Sequence, residues 1–256
     1  MGTDHQEIEW QYEAPYGLEK VEEWLGGQKG GSERSGLTVL GCSSKELVDT
    51  YYDTGDQRLY RAGHALRIRR EGWGGKYEAT MKSPFSVSGA AGNLRRWREI
   101  SEPLKSGGID ALLEAPGPVG ERLRALVGPR EVRPIFEVRT RRQTFDLVLD
   151  SQVADQEKAS PGSFVDVLRV GEISLDLSEI LTVTGGESVR LARVEVEVDA
   201  SATIIAPELE SFVKAMEKVL GLRPAATSKY EAGLFATGQG PDDEANTDTK
   251  AGNRNL

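Results

Sequence analysis

The stretch SVRLARVEVEVD, residues 188–199, decides the fold class because from Arg193 onward its side chains alternate between charged and apolar. Three valines fall on one face of an extended chain, and charged residues fall on the other. The charged face carries Arg193, Glu195, Glu197 and Asp199. A period of two predicts a β-strand with one apolar and one charged face.

A second strand with the same alternation lies at the start of the chain, in HQEIEWQYE at residues 5–13. Glu7 and Glu9 fall on its polar face. In a strand, residues i and i+2 project from the same face about 7 Å apart. Two such acid pairs, if brought together, are a potential ligand set for a hard cation such as Mg²⁺ or Mn²⁺.

The remaining chain predicts further strands, mostly consecutive, with helices between and after them. Single strands are predicted at 65–71, 76–82 and 94–104. Residues 37–53 form one or two strands, 132–150 form one long strand or a tight pair, and a hairpin at 165–180 turns near Gly171. Helical patterns occupy 16–26, 56–62, two short runs within 107–128, 207–222 and 228–236. About eight strands in this order predict an α+β fold with a largely antiparallel sheet.

Composition excludes several classes of function. The 256 residues carry a net charge of −9, which disfavours a nucleic-acid or anionic-membrane partner. One cysteine, Cys42, and two histidines exclude an intrachain disulfide and argue against a Cys- or His-based metal site. No apolar run approaches the ~18 residues of a membrane span, and no signal peptide is recognised, so we expect a cytoplasmic protein.

The charged strand faces permit two interpretations. A basic pair, Arg67 and Arg69, stands between the two acid pairs along the chain, and arginine binds phosphate oxygens bidentately. The plainer alternative is a set of solvated faces with surface ion pairs of little energetic value. Alternation alone does not choose between them.

An ordered set of eight segments resembles the CYTH family, the triphosphate tunnel metalloenzymes. The segments are EIEWQ, YYDTGDQRLYRAGHALRIRRE, ATMK, REISEPL, TRRQTFDL, SLDLSEI, RVEVEV and SKYEAGL. They span about residues 5–236. The resemblance implies an eight-stranded antiparallel β-barrel with a charged interior and helices packed outside, formed by residues 1–237. Residues 238–256 read as a disordered polar tail.

The resemblance also implies roles for individual residues. Carboxylates would ligate Mg²⁺ or Mn²⁺: Glu7, Glu9, Glu99, Asp176, Glu195 and Glu197. Basic residues would bind the triphosphate: Arg67, Arg69, Lys82, Arg142 and Lys229. On a regular strand, Arg139 and Arg141 would face away from Arg142.

The chain departs from the family signature at Gln11, which stands where the family has a lysine that is thought to orient or activate the attacking water. Glutamine carries no charge and cannot act as a base. Lys82 or a metal-activated water could take over that role, the substrate could differ, or the protein could bind without turnover. The catalytic candidates are therefore Lys82 and Gln11.

The implied function is divalent-metal-dependent hydrolysis of a triphosphate-bearing small molecule, either inorganic triphosphate or an organic one such as thiamine triphosphate. A non-catalytic polyphosphate-binding module and a class IV-type adenylate cyclase are the alternatives. We expect no nucleic-acid and no membrane partner, and a homodimer is left open. The Gly-rich stretches at 27–36 and 83–93 are interpreted as loops within one domain.

Overall fold

A computed structural model describes residues 2–27, 36–72, 74–84, 93–150, 169–182, 188–202 and 204–238. The predicted tail, apart from Gly238, and most of the two Gly-rich stretches lie outside these residues.

The described strands form one antiparallel sheet that closes on itself, because β1 pairs with both β5 and β8. The strands are β1 (Thr3–Glu13), β2 (Leu37–Thr54), β3 (Ala65–Glu71), β4 (Tyr77–Pro84), β5 (Leu94–Leu104), β6 (Val132–Leu149), β7 (Arg169–Thr182) and β8 (Val189–Val198). A two-residue strand, β9 (Arg223–Pro224), adds to the edge of β1. The predicted eight-stranded antiparallel barrel is confirmed.

Helices connect and cover the strands. Those of the described chain are α1 (Glu19–Gly26), α2 (Arg58–Arg61), α3 (Ile109–Leu113), α4 (Pro118–Val127), α5 (Pro207–Leu220) and α6 (Lys229–Ala236). None of them is both long and apolar enough to span a membrane.

The predicted hairpin near Gly171 is wrong. Within 169–182 the chain runs straight through Gly171 as β7, while the earlier part of that prediction lies outside the described residues. A Cβ at position 171 would stand 2.7 Å from the backbone oxygen of Glu197, so this glycine allows two strands to approach closely. The glycine therefore marks a close contact inside the sheet.

Two apolar cores lie outside the barrel wall and explain its amphipathic strands. Helices α1 and α5 cover one side, where Val194 and Val196 pack against Phe212 and Met216. The second core lies under α3 and α4, around Leu123. Burying the apolar strand faces outward leaves the charged faces to line the interior.

Helix α6 instead packs across the end of the barrel where β2 ends and β6 begins. Tyr230 and Leu234 join a buried cluster with Phe136 and Tyr51. The ring of Tyr51 stacks on both Phe136 and Tyr230, with centroid distances of 4.8 and 5.5 Å, and the latter two rings lie 6.1 Å apart. This packing fixes the first turn of α6 beside the interior.

Asp53 ties the same end of the barrel together. Its carboxylate accepts hydrogen bonds from the backbone N–H groups of Thr54, Leu59 and Tyr60, and from the hydroxyl of Tyr230. A buried carboxylate with four donors is well compensated. Asp53 therefore links β2, α2 and α6.

Gly233 on α6 packs closely against Phe136 at this end of the barrel. A Cβ at position 233 would stand 2.2 Å from the ring of Phe136, whereas one at Gly26 on α1 would meet nothing within 4 Å. We expect Gly233→Ala to lower the free energy of unfolding by about 1–3 kcal/mol and Gly26→Ala to leave it unchanged or slightly higher. Urea unfolding of both variants checks this, and equal effects would contradict the packing.

Candidate functional site inside the barrel

A cavity of about 350 Å³ occupies the barrel interior and collects almost every candidate residue from the sequence. The candidates that line it are Glu7, Glu9, Gln11, Arg67, Arg69, Lys82, Glu99, Arg142, Glu195, Glu197 and Lys229. The remaining one, Asp176, is fully buried in the wall behind Arg142. Arg139 and Arg141 are exposed, as the alternation with Arg142 predicts.

Strand pairing brings the two acid pairs together. In the β1–β8 ladder Glu9 lies opposite Glu197, and Gln11 lies opposite Glu195. Directly opposed residues of an antiparallel pair place their side chains on the same face. Residues nearly 190 positions apart thus share one patch of the interior.

A buried network holds Arg142 and Lys229 beside this patch. Arg142 donates to both oxygens of Asp176, at 2.7 and 2.6 Å, and to Glu195 at 2.6 Å. The ammonium of Lys229, on the first turn of α6, lies 2.5 Å from Asp176 and 2.7 Å from Glu195. Although burial opposes it, the two cations hold the pKa of Glu195 well below its usual range. Asp176 thus contacts the two predicted phosphate-binding cations directly.

Asp49 orients the arginines of β3, and the sequence analysis missed it. Its carboxylate accepts two hydrogen bonds from Arg69, at 2.7 and 2.8 Å, and lies 3.8 Å from Arg67. Although burial opposes it, these neighbours bring the pKa of Asp49 well below its usual range. Its spacing of two residues from Tyr51 and four from Asp53 was a signal for an inward-facing position.

Lys82 lies between two carboxylates. It forms ion pairs with Glu7 and, at 3.1 Å, with Glu99. Burial works against the charge, but the attraction of Glu7 and Glu99 raises the pKa of Lys82 well above its usual value. The pKa of Glu99 falls to about 2, because Lys82 and Arg67 outweigh its burial. Lys82 therefore remains a cation near neutral pH.

Glu9 and Glu197 lack such compensation. Neither forms an ion pair with any residue in the described part of the chain. Burial, followed by the charge of Glu7, raises the pKa of Glu9 to about 7 and that of Glu197 to about 8. The β1–β8 side of the interior thus holds two carboxyl groups whose charged form has no cationic partner among the described residues.

Unpartnered donors face the cavity from the β3–β4 side. The Nε of Arg67 and the hydroxyl of Thr80 are buried without a hydrogen-bond partner among the described residues, and both residues line the cavity. Buried donors of this kind are costly unless a ligand or water satisfies them. This wall is therefore suited to an anion with several acceptor oxygens.

The acidic patch fits a divalent cation by its donor chemistry. Carboxylate oxygens of Glu7, Glu9 and Glu197 are the ligands that Mg²⁺ and Mn²⁺ prefer, and two of these groups have no cationic partner among the described residues. Within those same residues, no three His, Cys, Asp or Glu side chains already stand close enough together to hold a metal ion.

A comparison with protein families matches the CYTH domain over residues 28–231. This chain belongs to the CYTH family. The matched range begins after β1, so Glu7, Glu9 and Gln11 are placed by barrel closure alone. A search of curated proteins gives no match.

Two solved structures show the same fold as this CYTH protein. HpAC1 from Hippeastrum, described as a proposed adenylyl cyclase with a dominant triphosphatase activity, is 17% identical with a TM-score of 0.57. The match covers 93% of this chain and 99% of HpAC1. A proposed adenylate cyclase from Bacillus halodurans is 20% identical with a TM-score of 0.53, covering 91% of this chain and 98% of its own.

The raised pKa of Glu197 predicts a pH-dependent stability. Its usual pKa is 4.5 and the folded value is about 8, so the folded state binds an extra proton between these limits. The resulting stabilisation is complete below about pH 4.5 and is lost as the pH rises through 8. In EDTA, we expect the free energy of unfolding to fall between pH 5 and 8.5 by on the order of 2 kcal/mol more in the wild type than in Glu197→Gln.

Urea unfolding at several pH values checks this expectation. Glu46→Gln is the matched control, because Glu46 is an exposed glutamate on β2. Parallel pH profiles for wild type and Glu197→Gln would contradict the buried, uncompensated state of Glu197.

Proposed function

We propose that this protein hydrolyses a triphosphate-bearing small molecule, inorganic or organic, in a reaction that requires Mg²⁺ or Mn²⁺. The observation that carries the proposal is the division of the cavity into two walls. Glu9 and Glu197, on β1 and β8, form an acidic wall without cationic partners among the described residues. Arg67, Arg142 and Lys229, from β3, β6 and α6, form a basic wall that meets the acidic one at Glu195. A polyanion with bound divalent cations matches both walls.

The basic wall would bind and orient the phosphates. Arg67 has an unpartnered Nε, and Asp49 holds Arg69 through two hydrogen bonds, so the guanidinium orientation is set before substrate enters. Lys229 enters from the first turn of α6, where positive charge is reinforced by the helix dipole. Preorganised cations of this kind stabilise the charge that develops in phosphoryl transfer.

The acidic wall would hold the divalent cation through Glu7, Glu9 and Glu197. When bound, such a cation neutralises phosphate oxygens and lowers the pKa of water. Lys82 stays protonated between Glu7 and Glu99, so its geometry supports charge neutralisation rather than proton abstraction. The chemistry of the site is therefore mainly positioning and electrostatics.

Phosphate release from inorganic triphosphate, thiamine triphosphate and ATP, each with Mg²⁺, Mn²⁺ or EDTA, tests the proposal. We expect metal-dependent release that Glu9→Ala reduces by at least about 100-fold, as loss of a metal-supporting group does. The melting temperature of this variant in EDTA shows whether it remains folded, since the substitution also removes the acceptor of the Gln11 and Trp97 hydrogen bonds.

Glu46→Ala is the control, since it removes an exposed glutamate from the middle of β2. Full activity in Glu9→Ala would contradict the assignment of the acidic wall. Absence of release from every compound, with triphosphate still raising the melting temperature, would identify a binding module instead.

The products formed from ATP distinguish an adenylate cyclase from a triphosphatase. With ATP, hydrolysis yields ADP and phosphate, or AMP and pyrophosphate, whereas cyclisation yields cyclic AMP and pyrophosphate. The triphosphatase activity described for HpAC1 supports the choice of hydrolysis for this chain. Cyclic AMP as the main product would overturn it.

A further inference from the structure

Two neighbours hold one oxygen of Glu9. The amide Nε2 of Gln11 donates to Oε1 of Glu9 at 2.9 Å, and the indole Nε1 of Trp97 donates to the same oxygen at 2.9 Å. No described residue donates to Oε2 of Glu9. The carboxylate is therefore fixed in orientation with one oxygen unused.

Gln11 also has an unused oxygen. Its side chain is about nine-tenths buried and lines the cavity, and its Oε1 has no hydrogen-bond partner among the described residues. The orientation of the Gln11 amide follows from its contact with Glu9, because a flipped amide would place its oxygen, an acceptor, against the carboxylate oxygen, also an acceptor. The unpartnered carbonyl oxygen is thus a consequence of the contact with Glu9.

Both unused oxygens belong to adjacent inward-facing positions of β1 beside Glu197. Carboxylate and amide oxygens are both ordinary ligands of hard divalent cations. We propose that Gln11 is a neutral oxygen ligand of the divalent cation, and that Gln11 and Trp97 together are positioning residues that aim Glu9 at it. This inference rests on the cation dependence of the proposed function.

The arrangement assigns Gln11 a role that a lysine could not fill. A side-chain ammonium at position 11 would be able to donate to Glu9, as Lys82 donates to Glu7, but it has no oxygen to offer to a cation. An amide instead donates to Glu9 and offers an oxygen to the same cation. Trp97, on the neighbouring strand β5, supplies the second donor from a rigid ring.

Mn²⁺ affinity, measured by titration calorimetry on the purified full chain, tests the proposal without relying on turnover. We expect Gln11→Leu and Trp97→Phe each to weaken Mn²⁺ binding by about 10-fold or more, as loss of groups that orient a ligand does. Gln11→Lys should weaken it further, because its charge repels the ion. Gln11→Glu should strengthen it, because a charged oxygen replaces a neutral one.

Matched controls separate these effects from loss of structure. Trp24→Phe makes the same change as Trp97→Phe at a residue that packs on Phe212, outside the barrel, and should leave Mn²⁺ affinity unchanged. Quenching of tryptophan fluorescence by Mn²⁺ should persist in Trp24→Phe and decrease in Trp97→Phe. Unfolding midpoints in EDTA show whether each variant is folded.

The outcomes distinguish this inference from the proposed function. If Glu9→Gln abolishes Mn²⁺ binding while folded Gln11→Leu and Trp97→Phe bind within twofold of wild type, the inference is wrong and the proposed function stands. If Gln11→Glu weakens binding as Gln11→Leu does, the ligand role of Gln11 is wrong. If wild type binds no Mn²⁺ with or without triphosphate, both fail.

Discussion

Charge buried inside a closed sheet is the constraint on which this structure depends. Removing an ion from water costs several kcal/mol unless partners restore what hydration supplied. Asp49 meets this requirement with Arg69, and Asp176 meets it with Arg142 and Lys229. Glu9 and Glu197 do not meet it within the described chain, so the fold maintains two poorly compensated carboxylates in one place. That imbalance is what a cation-binding function requires.

The alternation of side chains predicted much of this arrangement because it depends only on the two-residue period of a strand. The inward face of β8 and that of β1 follow directly from RVEVEV and EIEWQ. Once β1 closes the barrel between β5 and β8, Glu9 and Glu197 must be neighbours. The roles of the site residues, by contrast, came from resemblance and stay predictions.

Other features could not be predicted, because they depend on which strands pair and where helices dock. Asp49 and Asp53 look alike in the sequence, yet one orients two arginines and the other caps α2 and anchors Tyr230. In the sequence Gly171 is typical of a turn, whereas in the structure it allows β8 to pack closely against β7. The sequence analysis assigned no role to Trp97 within the strand predicted at 94–104, whereas its indole N–H donates a hydrogen bond to Glu9 on the neighbouring strand.

Gln11 shows how far a substitution can be interpreted from its environment. Judged from the sequence alone, glutamine in place of the family's lysine removes a positive charge, and this suggests a loss of catalytic activity. In the structure its amide donates to a carboxylate that already receives a second hydrogen bond. Its side chain lines the cavity, and its buried oxygen has no partner among the described residues. Positive charge is abundant nearby, since Lys82, Arg142 and Lys229 each contact two carboxylates. A neutral donor–acceptor at this position therefore leaves Glu9 without an ion pair in the described part of the chain, so that the carboxylate stays available to a bound divalent cation.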